Sequence, residues 1–140
     1  MNTLAISGNL TRDPETKQVG DTTVTSLRLA WDERRLNKAT DEWESIPHYF
    51  DVDVWGARGE NVARKCSQGS LVYVEGSLKY RQWEAEDGST RSAVSIKARE
   101  VSGPDFFKPK SEDRELVIAG AGGEMVAEAA SSTQDDDIPF

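Results

Sequence analysis

With 140 residues, 36% of them hydrophobic and 30% charged, the chain has room for one domain with some length to spare and the balance of a soluble globular protein. A single cysteine excludes an internal disulfide, and one cysteine with one histidine is too few nitrogen and sulfur ligands for a zinc site. The net charge of −8 argues against a polyanionic partner only until it is divided: residues 1–104 carry 14 Lys+Arg against 16 Asp+Glu, and residues 105–140 carry 3 against 9.

Met1–Leu10 has no basic region ahead of an apolar stretch, so no signal peptide is expected, and no apolar run reaches the ~18 residues of a membrane span. Within it, Asn2–Ser7 alternates, with Leu4 and Ile6 on one face, and predicts a first strand ending at Gly8-Asn9. A polar loop follows, through Asp13-Pro14-Glu15 to Gly20-Asp21. Thr22–Ala30, rich in Thr, Val and Leu, predicts a second strand with Leu27 and Leu29 on one face. Asp32–Ile46 is mostly polar and long enough for an extended loop or a hairpin arm. His48–Trp55 alternates through its centre and predicts a third, half-buried strand. Gly59–Gln68 reads as the one helix of this part, with Val62 and Cys66 on its core face and Gly69 just past its end. Leu71–Gly76 and Ser77–Trp83 read as one strand crossing a glycine bend, and Asp87-Gly88 as a hairpin turn. Arg91–Val101 is the last strand, with Val94 and Ile96 on one face and Ala93, Ser95 and Lys97 on the other.

This order predicts a mostly β domain over residues 1–104: a five-stranded OB-fold barrel with one short helix between strands 3 and 4. Such barrels bind oligonucleotides or oligosaccharides on their faces and loops, but the fold alone does not fix a function. Beyond it, Ser111–Thr133 holds acidic and small residues and no aromatic, with Leu116-Val117-Ile118 too short to build a core of its own. Residues 105–134 therefore read as a flexible, disordered acidic linker, and Asp135–Phe140 as a distinct tip.

The chemistry lies on strand faces. In the third strand Phe50, Val52 and Val54 share an apolar face, whereas Tyr49 and Trp55 share the other with Asp51 and Asp53. Aromatics on so polar a face either stack on bases or cover a neighbouring strand or subunit. In the fourth strand Lys79, Arg81 and Trp83 fall at i, i+2 and i+4, two cations and an indole on one side, suited to phosphates and a stacked base. The bland alternative is a solvated face with Trp83 closing the barrel end. Arg12, Lys17, Arg28, and Arg34-Arg35 with Lys38 are further cations that either line a groove or stand solvated. Trp31 and Trp43 flank the second long loop, as stacking platforms or as pins for the loop, with Trp43 the better platform. Cys66 is read as a core residue and His48 as a surface residue at a strand start.

No catalytic set is found: one histidine serves no Ser-His-Asp arrangement, and no glycine-rich phosphate loop is present. Asp51 and Asp53 face the same side and leave a metal-dependent nuclease as a minor alternative. Another is an OB-fold interaction module of a replication or primosome assembly, whose aromatic face meets protein.

Several segments in this order and spacing carry a family resemblance: Gly8-Asn9-Leu10-Thr11 with Asp13-Pro14-Glu15, Leu27-x-Leu29-Ala30, Glu60-Asn61-Val62-Ala63, Gly69–Gly76 and Leu78–Trp83. Residues 1–103 thereby resemble the homotetrameric single-stranded DNA-binding proteins of bacteria, also carried by many phages, and the terminal Asp-Asp-Asp-Ile-Pro-Phe resembles that family's tip. The resemblance implies an OB-fold that wraps single-stranded DNA without sequence preference, in the cytoplasm and nucleoid or in a phage's host, with no enzymatic activity, cofactor, metal or membrane. It places stacking aromatics at Tyr49, Trp55 and Trp83. A further family tryptophan falls at Arg35, with Trp43 nearby as its substitute, and Asp51 stands where the family often has a basic residue. An acid there weakens phosphate contact. In the tip, Asp135, Asp136 and Asp137 precede Ile138, Pro139 and Phe140, so a partner can take Phe140 in an apolar pocket and its carboxylate on a basic side chain. The family's tips dock replication, recombination and repair proteins; being anionic like DNA, this tip is also expected to compete with it for the basic track.

Overall fold

Alternation along the chain becomes burial in the structure, a computed structural model that describes residues 1–109 and 113–119 and, as backbone, 125–127. The strands are β1 (Leu4–Leu10), β2 (Glu15–Val19), β3 (Thr22–Asn37) and β4 (Glu42–Trp55), followed by helix α1 (Ala57–Lys65). Then come β5 (Leu71–Glu84), β6 (Thr90–Ser102), a short 3-10 helix at Pro104–Phe107, β7 (Leu116–Ala119) and β8 (Met125–Ala127). They form one sheet in the order β1-β5-β6-β4-β3-β2-β7-β8, and a further β1–β3 pairing closes β1, β5, β6, β4 and β3 on themselves. Within that ring only the short β4–β6 pairing is parallel.

The ring encloses the core. Leu10, Leu27, Leu29, Val52, Val54, Val72, Val74 and Ile96 point inward and are almost wholly buried, with Val62 and Cys66 plugging one end from α1. Burial pushes the Cys66 thiol up to about 11, which fits the expected core residue rather than a reactive one. Gly76 carries the expected bend: a Cβ there would lie 2.2 Å from the Lys97 carbonyl oxygen, and the β5–β6 register shifts between Glu75 and Gly76. Past this bend β5 and β6 leave the core as a two-stranded arm. Val94, expected inside with Ile96, is therefore exposed.

Three sequence expectations are corrected. The described residues hold eight strands, five in the closed ring and three beyond it: the loop expected at residues 13–21 contains β2 and the expected linker contains β7 and β8. β2 escapes a hydrophobic pattern because its one inward position is Thr16, whose hydroxyl is hydrogen-bonded at 2.8 Å to that of Thr25 in the interior. β7 adds in parallel to β2, pairing Thr16 with Ile118 and Lys17 with Ala119. Its Leu116 and Ile118 bury beside Ala63 of α1, so a patch too short for its own core borrows one. Arg114 holds the approach: its backbone N–H donates to the Arg64 carbonyl and its guanidinium to that of Cys66, both at 2.7 Å. Third, α1 ends at Lys65 rather than Gln68, since Cys66 is already extended (φ −115°) to reach the core. Gly69, with φ 92°, serves the turn into β5 instead. The tip Asp135–Phe140 lies outside the described residues.

Candidate nucleic-acid interface

Four strands meet on one outer face of the ring. Asp53 of β4 is in register with Ser26 of β3 on one side and Lys97 of β6 on the other, and Lys79 of β5 is in register with Ser95 of β6. Side chains of one parity therefore share this face, and with the β1–β2 connection they wall a groove of about 660 Å³. Arg12, Lys17, Lys79, Arg81 and Lys97 ring it, Trp55 stands on its wall, and Asp51 and Asp53 lie between the cations. None of these five cations has an ion-pair partner among the described residues. Burial first, then the neighbouring Asp51 carboxylate, raise the Asp53 pKa above the ordinary 3.8, against the lowering pull of Arg81 and the Ser26 hydroxyl.

The groove thus gathers four of the residues expected to contact DNA: Arg12, Trp55, Lys79 and Arg81. Trp83 lies farther out on the β5–β6 arm, opposite Arg91, with the Arg81 guanidinium 4.6 Å from its ring centroid. Tyr49 is linked to the groove wall through Arg28, which lies 5.4 Å from the centre of its ring and donates to Asp51 at 2.8 Å. Asp51, expected to weaken phosphate contact directly, thus also engages a cation. Trp43 and Arg35 are out on the β3–β4 arm and do not line the groove: Trp43 lies beneath Arg34 at 5.8 Å, and Arg35 pairs with Glu44 at 3.6 Å. All four candidate aromatics are accessible, from 39% for Trp83 to 63% for Trp43. Trp31 is also accessible, and its ring centre lies 5.4 Å from that of His48, which is hydrogen-bonded to Glu33 at 2.9 Å.

Lys97 was not among the sequence candidates, whereas Lys17 was one of the further cations expected either to line a groove or to stand solvated. The parity of Ala93, Ser95 and Lys97 was legible, but which strand they faced depends on a register that β6 acquires only by pairing with both β4 and β5. Among the described residues no group of three or more His, Cys, Asp or Glu is arranged to hold a metal, and no helix is long and apolar enough to cross a membrane.

Known proteins share this plan. The model of the Single-strand binding protein family matches residues 1–103. Single-stranded DNA-binding protein 2 of Chlorobaculum tepidum is 34% identical over 117 residues, covering 82% of this chain and 78% of that protein. Single-stranded DNA-binding protein 2 of Clostridium acetobutylicum is 33% identical over 142 residues, spanning 100% of both chains. Among solved structures, a deletion mutant of the single-stranded DNA binding protein from Thermus aquaticus superposes with a TM-score of 0.63 at 27% identity. That likeness covers 74% of this chain and 50% of the Thermus chain. The chain belongs to the Single-strand binding protein family, a family of DNA-binding proteins and not of enzymes.

Proposed function

We propose that this protein binds and protects single-stranded DNA without sequence preference, as a five-stranded OB-fold, during replication, recombination and repair. The observation that carries the reading is the groove that Arg12, Lys79 and Arg81, without ion-pair partners among the described residues, line together with Trp55, while Tyr49 and Trp83 stand accessible. The cations meet phosphates, and each aromatic offers a π-face that accepts any base. Arg28 and Arg35 enter as weaker contributors because each already has a carboxylate partner, and Trp43 as an outlying platform on the β3–β4 arm.

Residues 105–134, apart from the docked β7–β8 hairpin, act as a linker that carries the tip Asp135–Phe140 to replication, recombination and repair proteins. The protein works as a homo-oligomer, a tetramer by analogy with its family, in the cytoplasm and nucleoid or in a phage's host. The opposite face of the β5–β6 arm supports the oligomer, since it exposes Leu78, Tyr80 and Val94 together.

A tryptophan-fluorescence titration with oligo-dT at several salt concentrations, beside duplex DNA, tests the proposal. Expected is strong quenching that weakens as salt rises and nearly vanishes with duplex. Absence of quenching at low salt would refute it, and a DNA-independent protein-interaction module would take its place.

A further inference from the structure

Two carboxylates lie inside a groove otherwise lined with cations. Asp51 and Asp53, at i and i+2 on β4, face the same way as Trp55, and Asp53 is half-buried between Ser26 of β3 and Lys97 of β6. Asp51 has Arg28 at 2.8 Å, but no cation lies within ion-pair distance of Asp53 among the described residues. A phosphate entering the groove therefore approaches a carboxylate with no cation in contact, on which Arg81 acts only from a distance. The charged groups facing the cavity are Arg12 from the β1–β2 connection, Lys17 from β2, Lys79 and Arg81 from β5, Lys97 from β6, and Asp51 from β4 itself. Ser26 offers a hydroxyl, and Arg28 of β3 reaches in only as far as Asp51.

Building on the groove as the strand's site, we propose that Asp53 is a proton-linked brake on DNA binding, which holds affinity down at neutral pH and is released, with uptake of a proton on strand binding, as the pH falls into the carboxylate range. The physical ground is reciprocity. If its negative charge repels the phosphate, the phosphate must stabilise its protonated form by the same free energy. Asp53 starts poised for this, since burial and Asp51 already raise its pKa in the free protein. The sign follows. The complex carries more protons than the free protein between the free and bound pKa values, so affinity rises as pH falls from neutrality toward the carboxylate range. His48, the one histidine of the chain, has the opposite parity on β4, is hydrogen-bonded to Glu33 and does not line the groove.

The experiment is an oligo-dT titration of the full chain across that pH range at constant ionic strength, for wild type, Asp53→Asn, Asp51→Asn and Lys79→Ala. Thermal unfolding of each variant establishes that it is folded. Asp53→Asn should bind roughly two- to fivefold more tightly at neutral pH, the size of one screened charge contact, and lose most of the pH dependence. Asp51→Asn should sharpen the same conclusion, with a wild-type-like slope displaced to lower pH because the neighbour that raises the Asp53 pKa is gone. If Asp53→Asn binds equally or more weakly while Lys79→Ala weakens binding, Asp53 orients Arg81 rather than braking, and the proposal fails alone. If Lys79→Ala also leaves binding unchanged, the groove is not the strand's site and both readings fall together.

Discussion

On the β3–β4 hairpin, two arginines are held by carboxylates of the same ribbon, Arg28 by Asp51 and Arg35 by Glu44, while Arg34 lies over the Trp43 ring. On the β5–β6 hairpin beyond Gly76, Lys79, Arg81, Arg91 and Lys97 have no such partner among the described residues, while nearer the core Arg99 faces Glu75 at 3.8 Å. Both ribbons project from the same ring and both carry exposed aromatics. What separates them is the state of their charges before DNA arrives. A phosphate meeting Lys79 displaces only counterions, whereas one meeting Arg35 must compete with a carboxylate already 3.6 Å away. Counting cations along the chain would have ranked the two hairpins alike; the cross-strand pairs rank them apart.

The difference can be put under strain. The largest effect is expected from Lys79→Ala with Arg81→Ala, which removes two unpaired groove cations. Each lost charged contact should cost about 1.5–3 kcal/mol of binding and lower the salt slope by roughly 0.7. A salt titration of the double variant that keeps the wild-type slope would erase the distinction between the hairpins. Next come the aromatics: Trp55→Ala should lose ~1–3 kcal/mol, as for one stacked base, and Trp43→Ala clearly less, read by calorimetry because both substitutions remove fluorescence. Equal losses would move the strand's path out along the β3–β4 arm. The smallest effect is reserved for Arg35→Ala, under about 0.5 kcal/mol with an unchanged slope. Its companion Glu44→Ala frees Arg35 and should steepen the salt dependence by up to about 0.7 if that cation then finds a phosphate.

Much of the ring was legible because its strands are half-buried and alternate strictly. Phe50-Asp51-Val52-Asp53-Val54 can satisfy a core and a solvent face in only one way, and the glycine at residue 76 marked the corner between core and arm. The same regularity placed Lys79, Arg81 and Trp83 on one side. What stayed hidden depended on partners rather than on pattern. β2 shows a single buried threonine in place of an apolar row, and β7 is a strand only because β2 and Ala63 are there to receive it. Val94 looked like Ile96 in parity, and only the bend at Gly76, which carries β5 and β6 off the core together, sets them in different surroundings. In the groove, Lys97 of β6 and Arg12 of the β1–β2 connection arrive from segments far apart in the chain, a convergence set by ring closure and not by any local spacing.

The parallel seat of β7 on β2 has a consequence for where this domain ends. Polar main-chain groups along β2 that face away from β3 would otherwise stand bare, a template for another molecule's strand, with Ala63 open beside them. The chain supplies its own occupant. The sheet therefore runs on at least to Ala119, well past the last residue of the ring, and a fragment cut after residue 104 is expected to expose this flank of β2 as a sticky edge.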